Sequence, residues 1–105
     1  MKELSPKEVK TMIDGGRELQ IIDIREYHEV ESGNIGGKHI PMSEVMNRLN
    51  ELRKDCPVVV HCKSGSRASA MVYALTHEKN CSNVYHLKGG IEAWVRDIDP
   101  KITVY

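Results

Sequence analysis

The 105-residue sequence has no phenylalanine, one tryptophan and four tyrosines. Its core must therefore be aliphatic, built from Val, Ile, Leu and Met. It also lacks a charge excess, since 15 Lys and Arg balance 15 Asp and Glu. Nucleic-acid-binding domains carry a basic excess, so no nucleic-acid partner is expected. No apolar run approaches the ~20 residues of a membrane-spanning helix, and no membrane association is expected either. The first five residues contain no apolar stretch of the kind that marks a secretory leader. Three cysteines, Cys56, Cys62 and Cys81, are an odd number, which excludes a fully paired disulfide framework. A reducing, cytoplasmic setting is expected, with at least one thiol free for chemistry. There is no C-x-x-C pair and no H-E-x-x-H, and the five histidines are scattered without ligand spacing. No metal site is expected.

What is present reads as one domain, residues 1–105, of ordinary globular composition with 40% hydrophobic residues. Ser5-Pro6-Lys7-Glu8 combines a cap, a first-turn proline and a capping box. It opens a helix with Val9, Met12 and Ile13 on its apolar stripe, closed by Gly15-Gly16. Leu4 and its neighbours are a candidate edge strand. Gln20–Ile24 reads as a strand, Glu26–Glu31 as a short helix and Lys38–Ile40 as another short strand. Met42, Val45, Met46, Leu49 and Leu52 recur at helical spacing, with Ser43 as candidate cap. Pro57–His61 is a β-branched run typical of a buried parallel strand. Ala68, Met71, Val72 and Leu75 mark a helix, Asn83–Leu87 a strand, and Gly89-Gly90 a tight turn. Ile91, Trp94, Val95 and Ile98 face one side of a last helix, and residues 102–105 form a tail without assignment. Alternating strands and helices imply a doubly wound α/β sheet of about five parallel strands, with helices on both faces.

Ligands of open α/β sheets lie at the carboxyl ends of the strands. The segment following Val58–His61 occupies that place: Cys62-Lys63-Ser64-Gly65-Ser66-Arg67. A short loop of small residues, with a glycine free to take positive φ, turns successive backbone N–H groups toward one point. Such a nest, at the start of a helix, binds anions. Lys63 and Arg67 add two cations. All three effects favour a thiolate, so Cys62 is the expected nucleophile and Lys63, Ser64, Gly65, Ser66 and Arg67 its anion-binding loop. Cys56 and Cys81 stand at the wrong end of the sheet or outside any cationic loop and read as packing thiols. Asp23 and Arg25 end a strand on the active side. They are candidate supporting residues, although a structural ion pair, with Arg25 reaching Asp23 or Glu29, is the commoner arrangement. Strand alternation points the His61 side chain away from that of Cys62.

Cys62 to Arg67 is C-x4-R. Cysteine phosphatases use H-C-x5-R, a loop one residue longer that wraps a whole phosphoryl group. The shorter cradle suits a single sulfur atom held on the thiolate. The hexapeptide resembles the active-site loop C-[RK]-x-G-x-R of rhodanese-like sulfurtransferases. Three further stretches carry the resemblance across nearly the whole chain. Asp23-Ile24-Arg25 with Glu29 and Gly33 is similar to D-x-R-x-x-x-E followed by Gly. Gly33 to Pro41 is similar to G-H-I-x-G-A-x-x-I-P, with Asn34 in the His position and Gly37-Lys38 in place of Gly-Ala. Leu87 to Trp94 is similar to the closing G-G-x-x-x-W. The Asn34-Ile35-Gly36-Gly37 variant resembles rhodanese domains linked to molybdopterin-synthase and thiocarboxylate-activating enzymes. The resemblance implies a two-step transfer through a Cys62 persulfide that requires no metal or organic cofactor. The donor would be thiosulfate or a persulfide-bearing protein, and the acceptor a thiol or a sulfur-carrier protein. The competing readings are a cysteine phosphatase or arsenate reductase, and a non-enzymatic redox or partner-binding module.

Overall fold

The computed structural model describes residues 2–104. The first strand, β1 (Glu3–Leu4), leads into α1 (Pro6–Asp14). The capping box forms as the sequence dictates: Glu8 N donates to Ser5 Oγ at 3.1 Å, and Ser5 N donates to Glu8 Oε1 at 2.9 Å. The remaining elements are β2 (Gln20–Asp23), α2 (Tyr27–Ser32), β3 (Lys38–His39), β4 (Val58–His61), α3 (Ser66–Glu78), β5 (Val84–Leu87) and α4 (Gly90–Asp97). Their bounds fall within a residue or two of the sequence reading.

One element departs from expectation. Residues 42–52 form two 3₁₀ segments, Met42–Asn47 and Leu49–Glu51, instead of one α-helix capped by Ser43. Met42 N is held by Ile24 O at 3.0 Å, which fixes the entry point at the end of β2. Pro41 takes the cap position, and its carbonyl accepts Glu44 N at 2.8 Å in an i→i+3 bond. Arg48, at φ −128° and ψ 32°, separates the two segments. The apolar pattern fits this tighter winding, because Met46, Leu49 and Leu52 repeat every third residue, the period of a 3₁₀ turn.

The five strands are ordered β1-β5-β4-β2-β3 and all pair in parallel. Side chains of successive strand residues point to opposite faces, and β4 shows the result. Val58 and Val60 join Ile22, Leu75, Met71 and Val84 on the face covered by α3 and the 3₁₀ segments. Val59 joins Val9, Leu87 and Trp94 on the face covered by α1 and α4. All four residues of β4 are buried, as a central strand of a doubly wound sheet requires. The tail finds a place: Ile102 packs against the second cluster, and the Thr103 carbonyl lies against Gly33.

The chain winds from β2 to β3 in one direction and from β4 to β5 in the other. The order therefore reverses between β2 and β4, which are paired through Asp23 and His61 at their carboxyl ends. A crevice at such a switch point is the usual ligand position in this architecture. Both segments singled out in the sequence emerge there, Ile24-Arg25 from β2 and Cys62 from β4. No helix among the described residues is long and apolar enough to cross a membrane.

Candidate active site

Cys62 follows the last residue of β4 and is 1% exposed. Its Sγ accepts two backbone N–H groups, from Gly65 at 3.2 Å and from Ala68 at 3.3 Å. These bonds require the chain to turn back over the sulfur. Gly65 makes that turn at φ +109°, a conformation that side chains oppose, and caps α3 at the same time. The first N–H groups of a helix have no intrahelical acceptor, and here Ala68 gives its N–H to sulfur. Ser64 and Ser66 are exposed at the rim, with hydroxyls 3.2 Å apart, and Lys63 is half-buried beside them. The sulfur thus sits at the focus of oriented N–H dipoles and beside the positive end of a 13-residue helix, an arrangement of donors that suits a bound anion.

Arg67 does not stand free beside the thiol. Its guanidinium makes a two-pronged pair with Glu29 of α2, Nη1 to Oε1 at 2.8 Å and Nη2 to Oε2 at 2.9 Å. The hydrogen bonds from Arg67 hold the Glu29 carboxyl down to about 2, and the same bonds raise the Arg67 pKa. Glu29 Oε1 also accepts Glu26 N at 3.0 Å, so one carboxylate anchors both the start of α2 and the Cys62 loop. In the sequence Glu29 stood out only as a candidate partner of Arg25 and as the Glu of D-x-R-x-x-x-E.

Asp23 and Arg25 form the structural pair. Arg25 is 0% exposed and Asp23 2%. Arg25 Nη2 donates to Asp23 Oδ2 at 2.8 Å and Nε to Oδ1 at 3.0 Å. The other guanidinium hydrogens reach the carbonyls of Glu29 at 3.3 Å and Gly33 at 2.8 Å. Burial raises the Asp23 carboxyl, but the hydrogen bonds and charges around it more than offset this and leave it below its usual range. Through these two carbonyls the pair ties the middle of α2 and its C-terminal cap to β2. His61 Nε2 lies 3.7 Å from Asp23 Oδ2 on the face opposite the thiol. Burial drives its pKa down despite that carboxylate, so the ring is held neutral.

Gly89-Gly90 reads in sequence only as a tight turn, but in the fold it supports the site. At the start of α4, Ile91 N donates to Cys62 O at 2.8 Å and Glu92 N to Lys63 O at 3.1 Å. A Cβ on Gly90 would lie 2.4 Å from Lys63 O and 2.7 Å from Cys62 O. The loop is thus clamped from below by α4 and from the side by Glu29. Asn34 is built into the backbone: its Oδ1 accepts Gly36 N at 3.0 Å, and its Nδ2 donates to Val30 O at 3.2 Å. Cys56 is buried and Cys81 half-buried, at the opposite end of the sheet from Cys62. Among the described residues no three His, Cys, Asp or Glu side chains are grouped to hold a metal ion.

A family model described as "Rhodanese-like domain" matches residues 5–97. The chain belongs to the rhodanese-like domain family. Its relatives include a putative sulfurtransferase of Bacillus subtilis, YtwF, 35% identical over 102 residues, which span 96% of this chain and 97% of the relative. A probable adenylyltransferase/sulfurtransferase of Mycobacterium tuberculosis, MoeZ, is 32% identical over 105 residues. That match covers 97% of this chain and 26% of MoeZ, so this chain spans about a quarter of that longer protein. The fold agrees with that of a rhodanese-like domain protein from Staphylococcus aureus at a TM-score of 0.82 and 27% identity, covering 100% and 99% of the two chains.

Proposed function

We infer that this rhodanese-like protein is a sulfurtransferase with Cys62 as its nucleophile. The observation that carries the reading is the Cys62 sulfur accepting the N–H groups of Gly65 and Ala68 at the mouth of α3. A cradle of two donors focused on one atom stabilises one sulfur anion. It is smaller than the surround a phosphoryl group needs, which disfavours the phosphatase reading despite the shared His-Cys opening and closing Arg.

The reaction has two displacement steps. The Cys62 thiolate attacks the outer sulfur of the donor, the S–S bond of the donor breaks, and its electron pair leaves with the remnant. With thiosulfate the remnant is sulfite; with a protein persulfide it is that protein's thiolate. Cys62 then carries the outer sulfur as a persulfide. The acceptor, a thiol or a sulfur-carrier protein, attacks that sulfur and restores the thiolate. Dividing the transfer in this way replaces one difficult step by two easier ones. The N–H groups around Sγ provide preorganised stabilisation of the sulfur anion in both steps. The half-buried Lys63 supplies the attraction for an anionic donor. The MoeZ name joins adenylyltransferase and sulfurtransferase. A separate carrier activated by adenylylation is the corresponding acceptor for this chain.

The test is intact-mass measurement after incubation with thiosulfate. Wild-type protein gains one sulfur atom, which cyanide removes, and Cys62→Ser gains none while Cys81→Ser behaves as wild type. Absence of the adduct with both thiosulfate and the singly charged donor methanethiosulfonate, or its survival in Cys62→Ser, overturns the assignment. Hydrolysis of an aryl phosphate that is lost in Cys62→Ser would establish the phosphatase reading in its place.

A further inference from the structure

The loop carries two cations in the sequence but presents them unequally. Lys63 has no ion-pair partner among the described residues, whereas both Nη atoms of Arg67 are committed to the Glu29 carboxylate. The Glu29 side chain is 13% exposed and that of Arg67 36% exposed, so solvent screens the pair only in part. Two opposite charges in two-pronged contact act on a third charge nearby almost as a neutral unit. Of the loop's own two cations, Lys63 is then the uncompensated one, beside the dipoles of the N–H cradle.

We propose that Glu29 sets the charge class of the donor: by neutralising Arg67 it turns the site toward singly charged sulfur donors, such as a persulfide, and away from dianions such as thiosulfate. This rests on the sulfurtransferase reading and deepens it. Glu29 is a positioning residue here, acting on the donor only through Arg67. A persulfide carries at most one charge on its outer sulfur, and the thiolate it leaves behind stays on the donor protein. Thiosulfate brings two negative charges to a buried thiolate and has one cation to compensate them.

Two small donors separate charge from chemistry. Thiosulfate is a dianion and releases sulfite. Methanethiosulfonate is a monoanion and releases methanesulfinate by the same displacement at sulfur. Each leaves the same Cys62 persulfide, and cyanide discharges it as thiocyanate, which is read by its ferric complex. Glu29→Gln keeps an oxygen to accept Glu26 N and removes the charge. At low salt it should lower the KM for thiosulfate by about five-fold, as one unmasked charge near the site predicts at intermediate effective dielectric. The KM for methanethiosulfonate should change by about two-fold or less, because the attraction scales with donor charge. Arg67→Gln leaves Glu29 unbalanced and should raise the thiosulfate KM more than that of methanethiosulfonate. The double variant should return the ratio of the two KM values to that of wild type, and high salt should flatten all differences.

An equal change for both donors, or a double variant worse than either single variant, overturns the proposal and leaves Glu29 a purely structural anchor. Arg67→Gln provides the same discrimination if Glu29→Gln fails to fold. Absence of thiocyanate from the wild-type protein with both donors overturns the sulfurtransferase reading, and this proposal with it.

Discussion

The support of the Cys62 loop by α4 gives a prediction that two glycines can test against each other. Gly16 and Gly90 both have positive φ, +73° and +62°. A Cβ on Gly16 meets nothing within 4 Å, whereas one on Gly90 lies 2.4 Å from Lys63 O and 2.7 Å from Cys62 O. Gly16→Ala therefore isolates the conformational cost of a side chain in the left-handed region, about 1–2 kcal/mol. Gly90→Ala adds an overlap with backbone that cannot rotate away, for which overpacking costs of about 1–3 kcal/mol apply. Together that is about 2–5 kcal/mol, a large share of the ~5–15 kcal/mol by which a domain is typically stable. Urea unfolding followed by far-UV circular dichroism gives both values. The only ways to relieve the overlap are to move α4 away or to push the loop outward, and either weakens the bonds from Ile91 and Glu92 to the Cys62 and Lys63 carbonyls. Gly90→Ala is thus expected to slow persulfide formation at Cys62 by an order of magnitude or more, while Gly16→Ala leaves it unchanged. Equal destabilisation by the two substitutions, within about 0.5 kcal/mol, together with unimpaired sulfur loading in Gly90→Ala, would refute the clamp.

Three further outcomes follow from the buried charges. Glu29 is held at about 2 against an ordinary value of 4.5, so its ion pair stabilises the fold above the unfolded-state value. That stability is lost as pH falls from about 5 toward 2. With the pair partly exposed, about 1–2 kcal/mol is expected after allowing for screening. Urea midpoints of wild type and Glu29→Gln should differ at pH 6 and converge near pH 2. Arg25→Met leaves the Asp23 carboxylate buried without its partner and should cost about 3–5 kcal/mol in urea unfolding. Adding Asp23→Leu should recover a substantial part, and failure to do so would mean that the pair is not the source of the loss. His61 should be mostly neutral at pH 6.5, where an ordinary histidine is half protonated, shown by imidazole ¹⁵N shifts, because burial lowers its affinity for a proton. A protonated ring at that pH would contradict the packing described for it.

The elements that were legible in the sequence are those whose side chains declare their surroundings. Ser5-Pro6-Lys7-Glu8 closes its own capping bonds within four residues. Val58 to Val60 are apolar on both sides because β4 is covered on both faces. Cys62 to Arg67 shows a loop whose geometry follows from one glycine. Residues 42–52 were less legible, since an apolar period of three or four residues serves either an α-helix or a 3₁₀ segment. The bond from Met42 N to Ile24 O and the capping role of Pro41 decide between them, and both depend on where β2 ends. The role of Gly90 was hidden for a similar reason, because its neighbours in space are 27 and 28 residues away in the chain.

By itself the sequence determined the fold class, the strand that delivers Cys62 and the short loop that aims N–H groups at its sulfur. These follow from local patterns, burial periodicity, turn chemistry and helix capping, that act over a few residues. The tertiary structure decided which charges the site presents. Arg67 reads in sequence as a free cation beside a thiol. Folding brings it to Glu29, 38 residues away, in a two-pronged pair. Composition gives the number of charges, but only their separation in space sets how they add. The zero net charge of this chain conceals a loop with two cations, one without an ion-pair partner among the described residues and one neutralised by Glu29.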